Sequence, residues 1–123
     1  VSRAVHILVV DDEVGFARML GHSLRRLGFD ITLAAHPSDA LELFREQMFD
    51  AVITDIDMPA MSGIELARSL REVRSDLPIA FCTGSGPGHR RMAEASSLGA
   101  VMPKVWREAD VRTLLDALAI PLN

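Results

Sequence analysis

Two short apolar runs, residues 5–10 and 51–53, have almost no polar interruption, and both lead into acid: Asp11, Asp12 and Glu13 after the first, Asp55 after the second. A short run without alternation is the pattern of a strand covered on both faces, as in the middle of a parallel sheet. Such a strand needs helices above and below it, and the intervening segments supply them. Val14, Ala17, Leu20, Leu24 and Leu27 fall on one helical face, with Gly28 as a stop. Residues 29–34 read as a second strand. Pro37 suits the first position of a second helix, with Ala40, Leu41 and Phe44 turned inward. After Asp55, Pro59 lacks a backbone donor and Gly63 is expected to take a positive φ, so the chain leaves the sheet for a helix carrying Ile64, Ala67, Leu70 and Val73. A strand over 79–83, a Gly-rich loop over 84–88, a weak helix with Met92, Ala95 and Leu98, a short strand over 100–102 and a closing helix with Val111, Leu114, Leu115 and Leu118 make five βα units.

Strict alternation with short connections implies parallel strands joined by right-handed crossovers, hence a three-layer α/β sandwich, doubly wound as (βα)5. The 123 residues, 49% apolar, suit one core, so residues 1–123 are expected to form a single domain. There is no repeat, low-complexity tract or linker.

Composition removes several functions. No run is long enough to span a membrane, and Val1-Ser2-Arg3 begins no signal peptide, so a cytoplasmic location is expected. The missing initiator Met suggests a processed or excised segment. Cys82, the single cysteine, sits in an apolar run as a small buried hydrophobe. The net charge of −4 gives no general attraction for nucleic acid, even with the pairs Arg25-Arg26 and Arg90-Arg91. His6, His22, His36 and His89 are scattered, without metal-ligand spacing.

In an open α/β sheet, function gathers at the carboxyl ends of the strands. Asp11, Asp12 and Asp55 end two strands that such a sheet places side by side, and Asp55 is expected to stand exposed on its ledge. Taken singly, an Asp after a strand is an ordinary helix cap. Three carboxylates on one rim need a cation, and oxygen-only ligation matches Mg²⁺. Thr83 after the fourth strand and Lys104 after the fifth complete the ring. A hydroxyl, an ammonium and a divalent cation around one carboxylate suit a phosphoryl group arriving on that carboxylate, and Asp is a known nucleophile for forming an aspartyl phosphate.

The ordered set of Asp11-Asp12, Asp55 before Met58-Pro59-Ala60-Met61-Ser62-Gly63, Thr83 and Lys104 resembles the receiver domain of two-component response regulators, end to end. The resemblance implies a flavodoxin-like sheet in strand order 2-1-3-4-5. It implies Asp55 as phosphoacceptor and Mg²⁺ held by Asp11, Asp12, Asp55 and the backbone carbonyl of Asp57. Thr83 and Lys104 would bind the phosphoryl oxygens. The implied partner is a histidine kinase or a histidine phosphotransfer protein, with a homodimer through the last two helices as a further arrangement. The implied chain is a signalling domain with no separate substrate to turn over and no output segment after Asn123. It would be either a stand-alone receiver or a part of a larger protein such as a hybrid histidine kinase.

Two positions depart from the family. Receivers generally carry Lys-Pro with a cis bond where this chain has Lys104-Val105. A cis non-proline bond costs about 2.5–4 kcal/mol, so a trans bond and an altered path for Lys104 are expected. Trp106 is expected to anchor that loop by packing. Val101 stands where many members carry Tyr or Phe, so the usual coupling between the Thr and an aromatic should be weak or missing, and any response should concentrate in the 84–88 loop and the fourth helix. A degenerate receiver used only as a binding surface is therefore a competing reading. Asp55-Ile56-Asp57 also suits a haloacid-dehalogenase-like phosphatase, but Met58-Pro59 replaces that family's following residues and no cap segment fits. A flavin binder would need a phosphate cradle where Asp11-Asp12-Glu13 stands.

Overall fold

The computed structural model describes residues 4–84, 91–104 and 107–120, with Glu108 described by its backbone alone. The features expected at Ser85 to Gly88, His89, Arg90, the Lys104-Val105 bond and Trp106 lie outside the described residues. Five strands, β1 (His6–Val10), β2 (Asp30–Ala34), β3 (Ala51–Asp55), β4 (Ile79–Thr83) and β5 (Ala100–Pro103), alternate with five helices. The helices are α1 (Val14–Arg26), α2 (Pro37–Glu46), α3 (Gly63–Val73), α4 (Met92–Leu98) and α5 (Glu108–Ala117). All pairings are parallel and the order is β2-β1-β3-β4-β5. The expected doubly wound architecture is thus present.

The unbroken apolar strands feed two cores, because side chains two residues apart share a face. Ile7, Val9, Ile53, Ala80 and Cys82 pack with Ala17, Leu20 and Leu24 of α1 and Val111, Leu114 and Leu115 of α5. Leu8, Val10, Val52, Ile79 and Phe81 pack with Ala40 of α2, Ile64, Leu66, Ala67 and Leu70 of α3, and Ala95 of α4. Cys82 is buried, as its apolar surroundings suggested.

The helix faces differ from the expected stripes at their ends. Val14 and Leu27 are 48% and 41% exposed and Val73 is 71% exposed. Val14 and Val73 are the first residue of α1 and the last of α3, and Leu27 follows the end of α1, so all three stand at helix ends. Gly21 joins the buried face of α1 instead, close against Ile31 and Leu33. Gly28 does take a positive φ, 96°, beyond the last turn of α1, and its N–H donates to Arg25 O at 2.9 Å. α4 buries only Ala95, and Glu94 on it pairs with Arg68 of α3 at 2.7 Å between exposed side chains. No helix among the described residues is long and apolar enough to cross a membrane.

Candidate functional site

β1 and β3 lie side by side at the centre, so their carboxyl ends deliver Asp11 and Asp55 to one rim. Asp11 N–H donates to Ala34 O at 3.0 Å, which extends the ladder past β1 and buries the residue. Its Oδ1 accepts from Glu13 N–H at 2.9 Å, an Asx turn that swings the chain into α1. Glu13, and neither aspartate, takes the N-cap position, with no side-chain cap bond. Asp12 stays exposed.

Asp55 is not exposed as expected: it is 6% accessible. It ends β3 opposite Cys82 of β4, and the following turn folds back over it. Gly63 makes that return feasible by proximity, where a positive φ was expected. It begins α3, and a Cβ there would lie 1.8 Å from Asp55 O. The positive φ falls on Ala60, at 71°, in a tight turn closed by Met61 N–H donating to Pro59 O at 2.8 Å. Ser62 caps α3 by accepting from Glu65 N–H at 3.1 Å. Asp57 is exposed and lines an open cavity of about 420 Å³ with Met61, Glu65 and Arg91.

Lys104 reaches the acids. Its N–H donates to Thr83 O at 2.9 Å, continuing the β4–β5 ladder, and this fixes the root of its side chain. Nζ then lies 2.8 Å from Asp11 Oδ2, 2.8 Å from Glu13 Oε1 and 3.3 Å from Asp55 Oδ2. The ring of Phe16 on α1 stands 5.0 Å from it. Thr83 ends β4 and is buried. Glu13 and Phe16 were missed by sequence reasoning. Glu13 adjoins the aspartate pair, but nothing local points it at a lysine 91 residues away.

Carboxylate oxygens of Asp11, Asp12 and Asp55 lie within 4.8 Å of one another. Asp11 Oδ2 is buried, and the Lys104 ammonium 2.8 Å away is its partner. Hard oxygen donors with spare lone pairs fit a divalent cation such as Mg²⁺.

The profile of the response regulator receiver domain family matches residues 7–116. The chain belongs to this family. Its receiver domain is 38% identical over 89 residues to the response regulator MprA of Mycolicibacterium vanbaalenii, which is 72% of this chain and 38% of that protein. It is 39% identical over 85 residues to the sensor protein EvgS of Escherichia coli, 69% of this chain and 7% of that protein. The chain therefore spans less than half the length of either relative. Among solved structures, the response regulator protein TrrA from Thermotoga maritima, in complex with Mg²⁺-BeF, superposes with a TM-score of 0.82 at 29% identity, covering 93% of this chain and 98% of that one.

Within this receiver, burial and the neighbouring Asp11 push Asp55 up from 3.8 to about 6, although Lys104 pulls the other way. Burial likewise raises Asp11 against the pull of Lys104 and the Glu13 N–H. Burial lowers the Lys104 pKa, but its bonds to Asp11 and Glu13 and the attraction of Asp55 outweigh that, so the ammonium is held above its usual range. The site is thus a charged lysine among crowded carboxylates, short of positive charge. Val101, in the place of the family's aromatic, is half-buried beside the fully buried Phe81 of β4.

Proposed function

We propose that this receiver domain accepts a phosphoryl group on Asp55 from the phosphohistidine of a histidine kinase or a histidine phosphotransfer protein, and thereby switches a partner or an attached module. The observation that carries this reading is the Lys104 ammonium 3.3 Å from the carboxylate of Asp55, inside a cluster of three aspartates. Mg²⁺ would be held by Asp11, Asp12, Asp55 and the backbone carbonyl of Asp57, and when bound it supplies positive charge to the phosphoryl oxygens.

An Asp55 oxygen attacks phosphorus as the phosphorus–nitrogen bond to the donor imidazole breaks, and the electron pair leaves with the imidazole. Burial strips water from the nucleophile and leaves it oriented by the lysine. Lys104 meets the charge of the incoming oxygens with a charge-assisted bond, and the Thr83 hydroxyl gives a second. Hydrolysis of the aspartyl phosphate resets the switch, so there is no separate substrate to turn over. The likeness to parts of both a response regulator and a sensor protein supports a donor kinase as partner, whether in another chain or in the same one. The net charge of −4 favours protein partners over nucleic acid, and a cytoplasmic setting fits the reading.

Incubation with Mg²⁺ and acetyl phosphate tests it. The account expects uptake of a phosphoryl group that is lost in excess chelator. A protein that takes up none under either condition would be a binding module built on a receiver fold.

A further inference from the structure

An ammonium has three donors, and Lys104 has three carboxylates around it. The side chains of Asp11 and Asp55 are 2% and 8% exposed, whereas that of Glu13 is 64% exposed. A phosphoryl group turns the Asp55 carboxylate into an acyl phosphate, which frees the long 3.3 Å contact, but it brings more than one anionic oxygen to this one cation, so a second acceptor yields as well. Of the two that remain, Asp11 is costly to strip, since a buried carboxylate without its cation keeps its desolvation penalty. Glu13 loses little, because water replaces the lysine. Its carboxylate is also outside the set formed by Asp11, Asp12 and Asp55, and it makes no cap bond to α1. Its 2.8 Å bond to Lys104 is therefore the contact that its side chain contributes to the rim.

We propose that Glu13 is a positioning residue that occupies a Lys104 donor in the unphosphorylated protein and gives it up to a phosphoryl oxygen, so that Glu13 restrains phosphoryl binding at Asp55. This rests on the reading of Asp55 as phosphoacceptor. Two effects act in the same direction. Glu13 competes for the donor, and its charge opposes an anionic ligand at the mouth.

The test is a titration of the full chain with beryllofluoride in saturating Mg²⁺, followed by amide chemical shifts, for wild type, Glu13→Gln and Glu13→Ala, each also in a Lys104→Met background. Both Glu13 variants are expected to bind about three- to tenfold more tightly than wild type, the size of a partly exposed charge-assisted contact. Their affinity for Mg²⁺ alone should stay within about twofold, and most of the gain should be lost in the Lys104→Met background, leaving the part due to the Glu13 charge alone. Equal or weaker beryllofluoride binding in both variants overturns the proposal. So does a large loss of Mg²⁺ affinity, which would make Glu13 a metal ligand, or a full gain that persists without Lys104, which would make it a distant charge. Wild type that fails to bind beryllofluoride at all overturns the reading of Asp55 itself, whereas wild-type binding that ignores Glu13 overturns this inference alone.

Discussion

Asp55 and Asp11 are buried acids within one cluster, and burial, with the charge of Asp11 adding to it at Asp55, gives the metal-free protein a measurable pH dependence. Asp55 has an ordinary pKa of 3.8 when unfolded and about 6 when folded, so between these values the folded state binds more protons than the unfolded one. Stability due to this residue therefore falls as pH rises from 4 to 6. Relative to wild type, Asp55→Asn should gain on the order of 2 kcal/mol between pH 4 and pH 7, read from denaturant unfolding in chelator. A mutant and wild type with parallel pH profiles would show that Asp55 is solvated. Lys104 obeys the same sign in a different window: its folded pKa is also raised, so its stabilising contribution is present through neutral pH and is lost only as pH rises through the alkaline range. Lys104→Met should cost the metal-free protein about 2 kcal/mol or more at pH 7, because two buried carboxylates lose their cation. A loss below about 0.5 kcal/mol is the size expected of a surface pair and would contradict the site as described.

At the scale of the elements, the loop from Ile56 to Ser62 is built around one close approach and one strained residue. Gly63→Ala would drive a methyl into Asp55 O, and with only backbone to yield, it should destabilise by about 3 kcal/mol or more and displace Asp55. Ala60→Gly should do the reverse, stabilising by about 1 kcal/mol, since glycine adopts the positive φ without a Cβ penalty. Thermal unfolding of the two variants separates these opposite signs. α4 buries a single residue, so its amides should exchange faster than those of α3, which buries five. The elements themselves were legible because β1, β3 and β4 are largely apolar runs and α1, α2, α3 and α5 carry apolar residues at helical spacing. What periodicity could not show was that apolar residues at the helix ends, Val14, Leu27 and Val73, stay exposed. Nor could it say that the glycine of the β3–α3 turn serves proximity while an alanine takes the unusual φ.

For the whole molecule, the order β2-β1-β3-β4-β5 turns residues far apart in sequence into one rim. That order was legible from alternation together with the family resemblance, and the convergence of Asp11, Asp12, Asp55 and Lys104 follows from it. The burial of Asp55 and the pairing of Glu13 with Lys104 were not legible, because both depend on side chains meeting across β1, β3 and β5. We propose that the fold places a nucleophilic carboxylate at Asp55. The most direct test of this proposal is the mass of the intact chain after incubation with Mg²⁺ and acetyl phosphate, with peptide mapping of the product. The account predicts a gain of one phosphoryl group, carried by the peptide containing Asp55 and abolished in Asp55→Asn. An unmodified wild-type chain, or an Asp55→Asn chain labelled as fully as wild type, would contradict it.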